Sequence, residues 1–191
     1  MNLVTLLNKY DDTLRNYNPS NYEKLQAPLS VEKIEEHLHN FGVDDENLKA
    51  LFHWKNGFEG ENSGDRIFKK GGLLSMEYIL KLSSLSLSED LWKDTFIPLV
   101  SEGGGDYLLF NKEKGPDYGK LHLYCVSLLY IDEPISYYDS IYSMIKTTID
   151  AYEEKVLIFD ELNGSRLKYD IDAFNSIAKK NNKHSDFWIR P

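Results

Sequence analysis

Phe96-Ile97-Pro98-Leu99-Val100, Gly103-Gly104-Gly105-Asp106 and Tyr107-Leu108-Leu109-Phe110 come one after another in the middle of a 191-residue chain. Two short apolar runs separated by a glycine cluster read as two strands joined by a tight turn. Pro98 has no N–H to give to a ladder, which predicts an edge or an unpaired position for the first strand. Residues 111–119, with Gly115-Pro116, read as a loop, and 120–126 as a third strand. Three consecutive strands with short links predict an antiparallel meander. The glycine cluster does not suit a phosphate: no Lys-Ser/Thr pair closes it, Asp106 adds negative charge, and a strand comes next where a helix is needed.

On both sides of the meander the apolar period changes from two to about 3.6. Leu3, Leu6, Leu7, Tyr10 and Leu14 share one face, so 1–17 is predicted to be a helix packed on the domain. Residues 18–29, with Pro19 and Pro28, read as a loop. Ser30 caps a helix with the stripe Ile34, Leu38 and Phe41, stopped by Gly42. Asp44 or Asp45 caps the next, with Leu48, Leu51 and Phe52 inward, Trp54 expected to be mostly buried, and Asn56-Gly57 as the stop. Residues 66–68 and 72–74 look extended, and Ser75 caps a helix to about Leu82. After the meander, Ile141, Ile145, Thr148, Ile149, Tyr152 and Val156 trace a long helix, and Ile171, Phe174, Ile177 and Ala178 a last one. The prediction is an α+β fold: a single domain over 1–191, an antiparallel or mixed sheet with a central meander, and flanking helices packed on one sheet face.

Hydrophobic residues make up 41% of the chain and aromatics 13%, enough for a substantial core. No apolar run approaches the roughly 20 residues of a membrane helix. The opening Met1-Asn2-Leu3-Val4-Thr5-Leu6-Leu7 lacks the basic start and cleavage site of a signal peptide, so a cytoplasmic location and no membrane partner are expected. Cys125 stands alone, which forbids an intrachain disulfide and reads as a buried structural thiol. The five histidines show no close ligand spacing. The acidic loop 59–65 lacks the alternating ligands and closing Glu of an EF-hand, and no Gly-x-Ser-x-Gly elbow occurs. The sequence singles out no catalytic, cofactor-binding or metal-ligating residue, and a protein without enzymatic activity is expected.

The net charge is −9, which argues against nucleic acid as a direct partner. Residues 1–101 carry net −5, 102–161 net −7, and 162–191 net +3; eight of the 13 tyrosines fall in the middle segment. Acid plus tyrosine suits a surface that meets a basic protein, and an acidic excess also serves solubility. Both readings stand on charge alone. The candidate contact residues are Glu102, Asp106, Tyr107, Glu113, Asp117 and Tyr118, at or near the ends of the meander, with the helix bearing Glu32, Glu35 and Glu36 as the next candidate.

Three segments together carry a resemblance. The first runs from Pro28-Leu29-Ser30 through Ile34, Glu35 and Gly42 to Leu51-Phe52-His53-Trp54-Lys55-Asn56-Gly57. The second is Phe96-Ile97-Pro98-Leu99, then Gly104-Gly105-Asp106-Tyr107-Leu108. The third is a strand with Tyr124, then Tyr137-Tyr138-Asp139-Ser140-Ile141 opening a helix. This order resembles the SUKH superfamily, the Smi/Knr family, over about residues 25–155, with the 1–17 helix and 156–191 as extensions. The resemblance implies a non-enzymatic α+β domain. Bacterial members are commonly immunity proteins of polymorphic toxin systems that bind and neutralise a toxin, often a nuclease, in the producing cell. Eukaryotic members are scaffold-like regulators of cell-wall synthesis. Trp54, Asn56, Gly57, Gly105 and Asp106 match the family pattern, where the implied roles are structural: packing, a helix stop and a turn. A third, weaker class is a small-ligand binder or hydrolase using the turn at Gly103–Asp106. The partner implied is a basic toxin domain.

Overall fold

A computed structural model describes residues 2–62, 64–89, 92–125, 134–160 and 166–189. Five antiparallel strands form one sheet in chain order: β1 (Gly72–Leu73), β2 (Phe96–Ser101), β3 (Tyr107–Asn111), β4 (Leu121–Tyr124) and β5 (Ile135–Tyr138). The meander is therefore present and longer than expected. It gains β1 before it, and after it a strand that contains Tyr137-Tyr138, which were expected to open a helix. Val126, expected in the third strand, lies outside the described residues. Pro98 sits at a register shift in β2, and β1 pairs only with Val100 and Ser101, so β2 is an outer strand where the N–H is missing. Every residue of β3 is buried. A sheet with one wet face would alternate, so both faces are covered at its centre, not one.

Four helices precede the sheet: α1 (Leu3–Tyr17), α2 (Pro19–Tyr22), α3 (Val31–Asn40) and α4 (Glu46–Trp54). Their starts result from capping. Asn2, Ser30 and Asp45 accept backbone N–H groups at the first turns of α1, α3 and α4. The single turn α2 falls inside the expected loop, where Pro19 at its first position is already set to a helical φ. The stripe of α1 is buried as predicted, with Leu6, Leu7, Tyr10 and Leu14 each at 2% exposure or less. Helix α5 (Met76–Glu89) runs past Leu82, through a Ser/Leu stretch whose alternation obscures the helical period.

After the sheet, Ser140 and Ser143 form a reciprocal capping box at the start of α6 (Ile141–Glu153). Lys155 then takes a left-handed φ of 55° and ends the helix before Val156. The chain next enters a hairpin that the apolar pattern did not reveal, β6 (Leu157–Asp160) with β7 (Arg166–Tyr169), then α7 (Ile171–Asn181) and α8 (Asp186–Ile189). Ile171, read as part of an inward stripe, is 60% exposed. Buried apolar side chains from Leu3 to Trp188 form one cluster. Helix α1 packs on α6 and α4, with Lys9 paired to Glu153 at 2.7 Å. Among the described residues no helix is long and apolar enough to cross a membrane.

Candidate functional site

The six residues predicted to form a contact surface are not brought together. Glu102, Asp106 and Tyr107 lie at the β2–β3 turn, whereas Glu113, Asp117 and Tyr118 lie at the β3–β4 connection, at opposite ends of β3. Four steps along a strand separate those ends by about 14 Å. Most of the six are already engaged. Arg66 donates to Glu102 at 2.9 Å and Lys70 lies 3.6 Å from it. The Cys125 thiol donates to Asp106 at 3.0 Å, which places that cysteine half-buried at the sheet end and not in the core. Tyr107 is buried against Trp92 and Tyr124, with ring centroids 5.2 and 6.4 Å away. Asp117 pairs with Lys120 at 2.7 Å. The Tyr118 ring meets Phe110 edge-on, and burial, with Asp45 beside it, pushes its hydroxyl up to about 12. Glu113 is exposed, its backbone N–H donating to Asn111.

The tyrosines of the middle segment explain the difference. Tyr137, Tyr138 and Tyr152 are fully buried, as is Tyr10 on α1. They supply core volume, and their hydroxyls lie well above the ordinary range because burial disfavours the phenolate. Asp139 accepts from the His184 N–H, and Asp150 and Glu153 pair with Lys146 and Lys9. Glu102, Asp117, Asp150, Glu153 and Asp160 of this segment thus each meet a basic side chain in the fold.

A different surface is open. Helices α1, α3 and α4 enclose a groove of two adjoining lobes, about 620 and 550 Å³, which share Val4, Ala50 and His53. One lobe runs over Val31 and Ile34 with Glu35 and Glu46 at the rim; the other runs to Asp11, Asp12 and Trp54. Val4 and Val31 are 56% and 52% exposed, although each helix keeps its remaining apolar stripe in the core. Glu35 belongs to the helix that the sequence offers as the second candidate. Trp54 packs against the core as a partly buried residue and also lines the groove. Its ring lies 5.4 Å from that of Tyr10, and its Nε1–H donates to Asp11 at 3.1 Å.

Asp11 organises this end of the groove. It also accepts from the Tyr22 hydroxyl at 2.9 Å and from Arg15 Nε at 2.9 Å. Burial opposes its charge, but the bonds from Arg15, Tyr22 and Trp54 outweigh burial and hold its carboxyl below the usual range. Arg15 and Lys55 lie over the Tyr22 ring, 4.5 and 4.7 Å from its centroid. The result is a fixed, partly buried indole beside an anchored carboxylate, which suits recognition of another surface. Sequence reasoning missed it because Trp54 sits where the α4 stripe passes from core to rim.

The family-motif residues have definite structural roles. Asn56 does not stop α4; Lys55, in extended conformation, is the C-cap. The Asn56 side chain joins three segments: it donates to Gln26 at 2.8 Å and to Glu77 at 3.0 Å, and accepts from the N–H of Met76 at 3.0 Å at the start of α5. Gly57 adopts φ +68° against the backbone of Leu73 and Leu74. Gly105, at φ +90°, turns the chain into β3 beside Asp106.

His122 is buried and its Nδ1–H donates to the Pro134 carbonyl, 3.2 Å away; burial lowers its pKa. Among the described residues no group of three or more His, Cys, Asp or Glu side chains clusters to hold a metal ion. No family model matches the chain, and no curated protein matches it.

Proposed function

We propose that the chain is a non-enzymatic protein-binding domain, an immunity protein that neutralises a basic toxin domain by direct contact, with the α1–α3–α4 groove as the contact face. The observation that carries this reading is the pair Val4 and Val31, which line the groove and stay more than half exposed while Leu3, Leu6, Leu7, Leu14, Ile34 and Leu38 of the same helices are buried. Trp54, held in place by Asp11 and Tyr10, supplies a rigid anchor at one end. The resemblance of 25–155 to the SUKH superfamily supports the same class, and the net charge of −9 suits a basic partner. Glu113, exposed in the β3–β4 connection, and Asp117 add negative charge that steers the encounter.

The test is isothermal titration against the C-terminal domain of the toxin encoded beside this gene, in the wild type and in a Val4→Lys, Val31→Lys double variant. The double variant is expected to bind at least about 100-fold more weakly, since two ammonium groups would be desolvated and would face a basic partner. Association should also slow as salt rises, because the screening length falls from about 10 Å at 0.1 M to about 3 Å at 1 M. Absence of any wild-type binding refutes the immunity role; unchanged binding by the double variant refutes the groove.

A further inference from the structure

Phe68 and Gly71 bond to each other's backbone at 2.9 and 3.1 Å, so Lys69 and Lys70 form the tip of a tight turn. Ile67 and Phe68, both fully buried, fix that turn to the core. Lys70 lies 3.6 Å from Glu102, which Arg66 also holds at 2.9 Å. Lys69 meets aromatic rings instead. Its Nζ lies 4.5 Å from the ring centroid of Phe174 on α7, 4.9 Å from that of Tyr169 on β7 and 5.9 Å from that of Trp188 on α8. Among the described residues it makes no ion pair. Phe174 and Trp188 are buried, whereas Tyr169 is 41% exposed and leaves one side of the cluster open to solvent.

A lysine desolvated on apolar surface beside a second cation meets the two conditions that turn an ammonium into a nucleophile. The rings take the place of water around the charge and bring no anion to replace it. Lys70, next to it in the turn, adds like-charge repulsion, and Glu102 is already shared between Arg66 and Lys70. Burial, with Lys70 adding to it, brings the amine down to about 8, and Glu102 offsets only part of this. At about pH 7.5 about a quarter of such an amine is neutral, against about one in a thousand for an ordinary lysine. The ring faces also attract the ammonium, so the pH profile of reaction measures the balance of the two effects.

We propose that Lys69 is a covalent carbonyl-binding site, whose amine forms an imine with small aldehydes. The neutral amine attacks the carbonyl carbon, and the C–N bond forms as the carbonyl π pair moves onto oxygen. A proton passes from nitrogen to that oxygen to give the carbinolamine. Loss of the hydroxyl with the second N–H proton, as water, closes the C=N bond. The step needs no redox partner, and water reverses it. The surrounding ring faces suit an apolar substituent on the aldehyde. None of these residues lines the α1–α3–α4 groove, so the site is independent of the immunity reading.

The experiment treats the full wild-type chain with propanal and cyanoborohydride, which reduces the imine to a stable secondary amine. Peptide mass mapping then gives the rate at each lysine from about pH 6 to about pH 11. At about pH 7.5 Lys69 should be modified at least about tenfold faster than Lys179 and Lys180, which are exposed on α7. Its rate should reach half its maximum near pH about 8. The excess should disappear in urea, where the rings leave the turn. A rate at Lys69 no faster than at Lys179 and Lys180 would overturn the proposal. So would a half-maximum near about 10.4, which would mean that the rings hold the ammonium. An excess that survives unfolding would put its cause outside the ring cluster and would overturn the proposal as well.

Discussion

Gly57 and Gly42 form a matched pair for testing how the chain passes from α4 to the sheet. Both are left-handed, at φ +68° and +64°. They differ in their surroundings. A Cβ on Gly42 would meet nothing within 4 Å, whereas one on Gly57 would lie 2.5 Å from the Leu73 carbonyl oxygen and 2.6 Å from the Leu74 backbone. Alanine at either position carries the left-handed penalty of about 1–2 kcal/mol. At Gly57 the crowded oxygen is also the acceptor for the buried Phe58 N–H at 2.8 Å. The strand must move to admit the methyl, and losing that bond adds about 1–3 kcal/mol. Gly57→Ala should therefore cost about 3–4 kcal/mol and Gly42→Ala about 1 kcal/mol. In a chain of this size 1 kcal/mol shifts the melting midpoint by about 2–4 °C, so Gly57→Ala should melt about 6–16 °C lower than wild type. Urea denaturation at neutral pH gives the free energies and calorimetry the midpoints. Equal losses in the two variants would refute the close approach of residue 57 to β1.

Trp54→Ala should cost about 2–3 kcal/mol in urea denaturation, below the roughly 3–5 kcal/mol of a fully buried large aromatic, because the ring is only partly buried. A loss of about 4 kcal/mol or more would mean that Trp54 is a core residue after all. Tyr10, Tyr137, Tyr138 and Tyr152 have folded pKa values raised by burial above the unfolded value of about 10. The folded state thus holds protons that the unfolded state releases, and stability falls as pH rises above about 10. In a spectrophotometric titration these four should ionise only together with unfolding; smooth ionisation in a chain that keeps its near-ultraviolet dichroism would contradict their burial.

The meander is legible in the sequence because its strands are consecutive and its turns rich in glycine, so local chemistry alone fixes the pairing. The helix starts at Ser30 and Asp45 are legible for the same reason: a cap is a contact over two or three residues. The hairpin at Leu157 is hidden because Val156, Leu157 and Phe159 continue the apolar pattern of α6, and only the left-handed Lys155 interrupts it. The engagement of the middle segment is hidden for a related reason. Tyr137 counts as amphipathic in a composition, yet it is covered by Trp188, some 50 residues later. The groove at Trp54 is hidden because it depends on Asp11 and Tyr22, on other helices.

The contact between α1 and α6 has a consequence for synthesis. Asn18 donates to the Tyr152 hydroxyl across 134 residues of sequence. A ribosome adding about 5–20 residues per second takes about 7–27 s to make that stretch. The strands β2 to β4, each paired with the next, can assemble within that time from contacts made over short loops. The N-terminal helix can meet α2 and α4 early, but the part of its apolar face that packs on α6 waits until that helix emerges. The nascent chain therefore carries paired strands and a partly uncovered apolar helix at once. That interval, not the native state, is when the protein is most open to self-association.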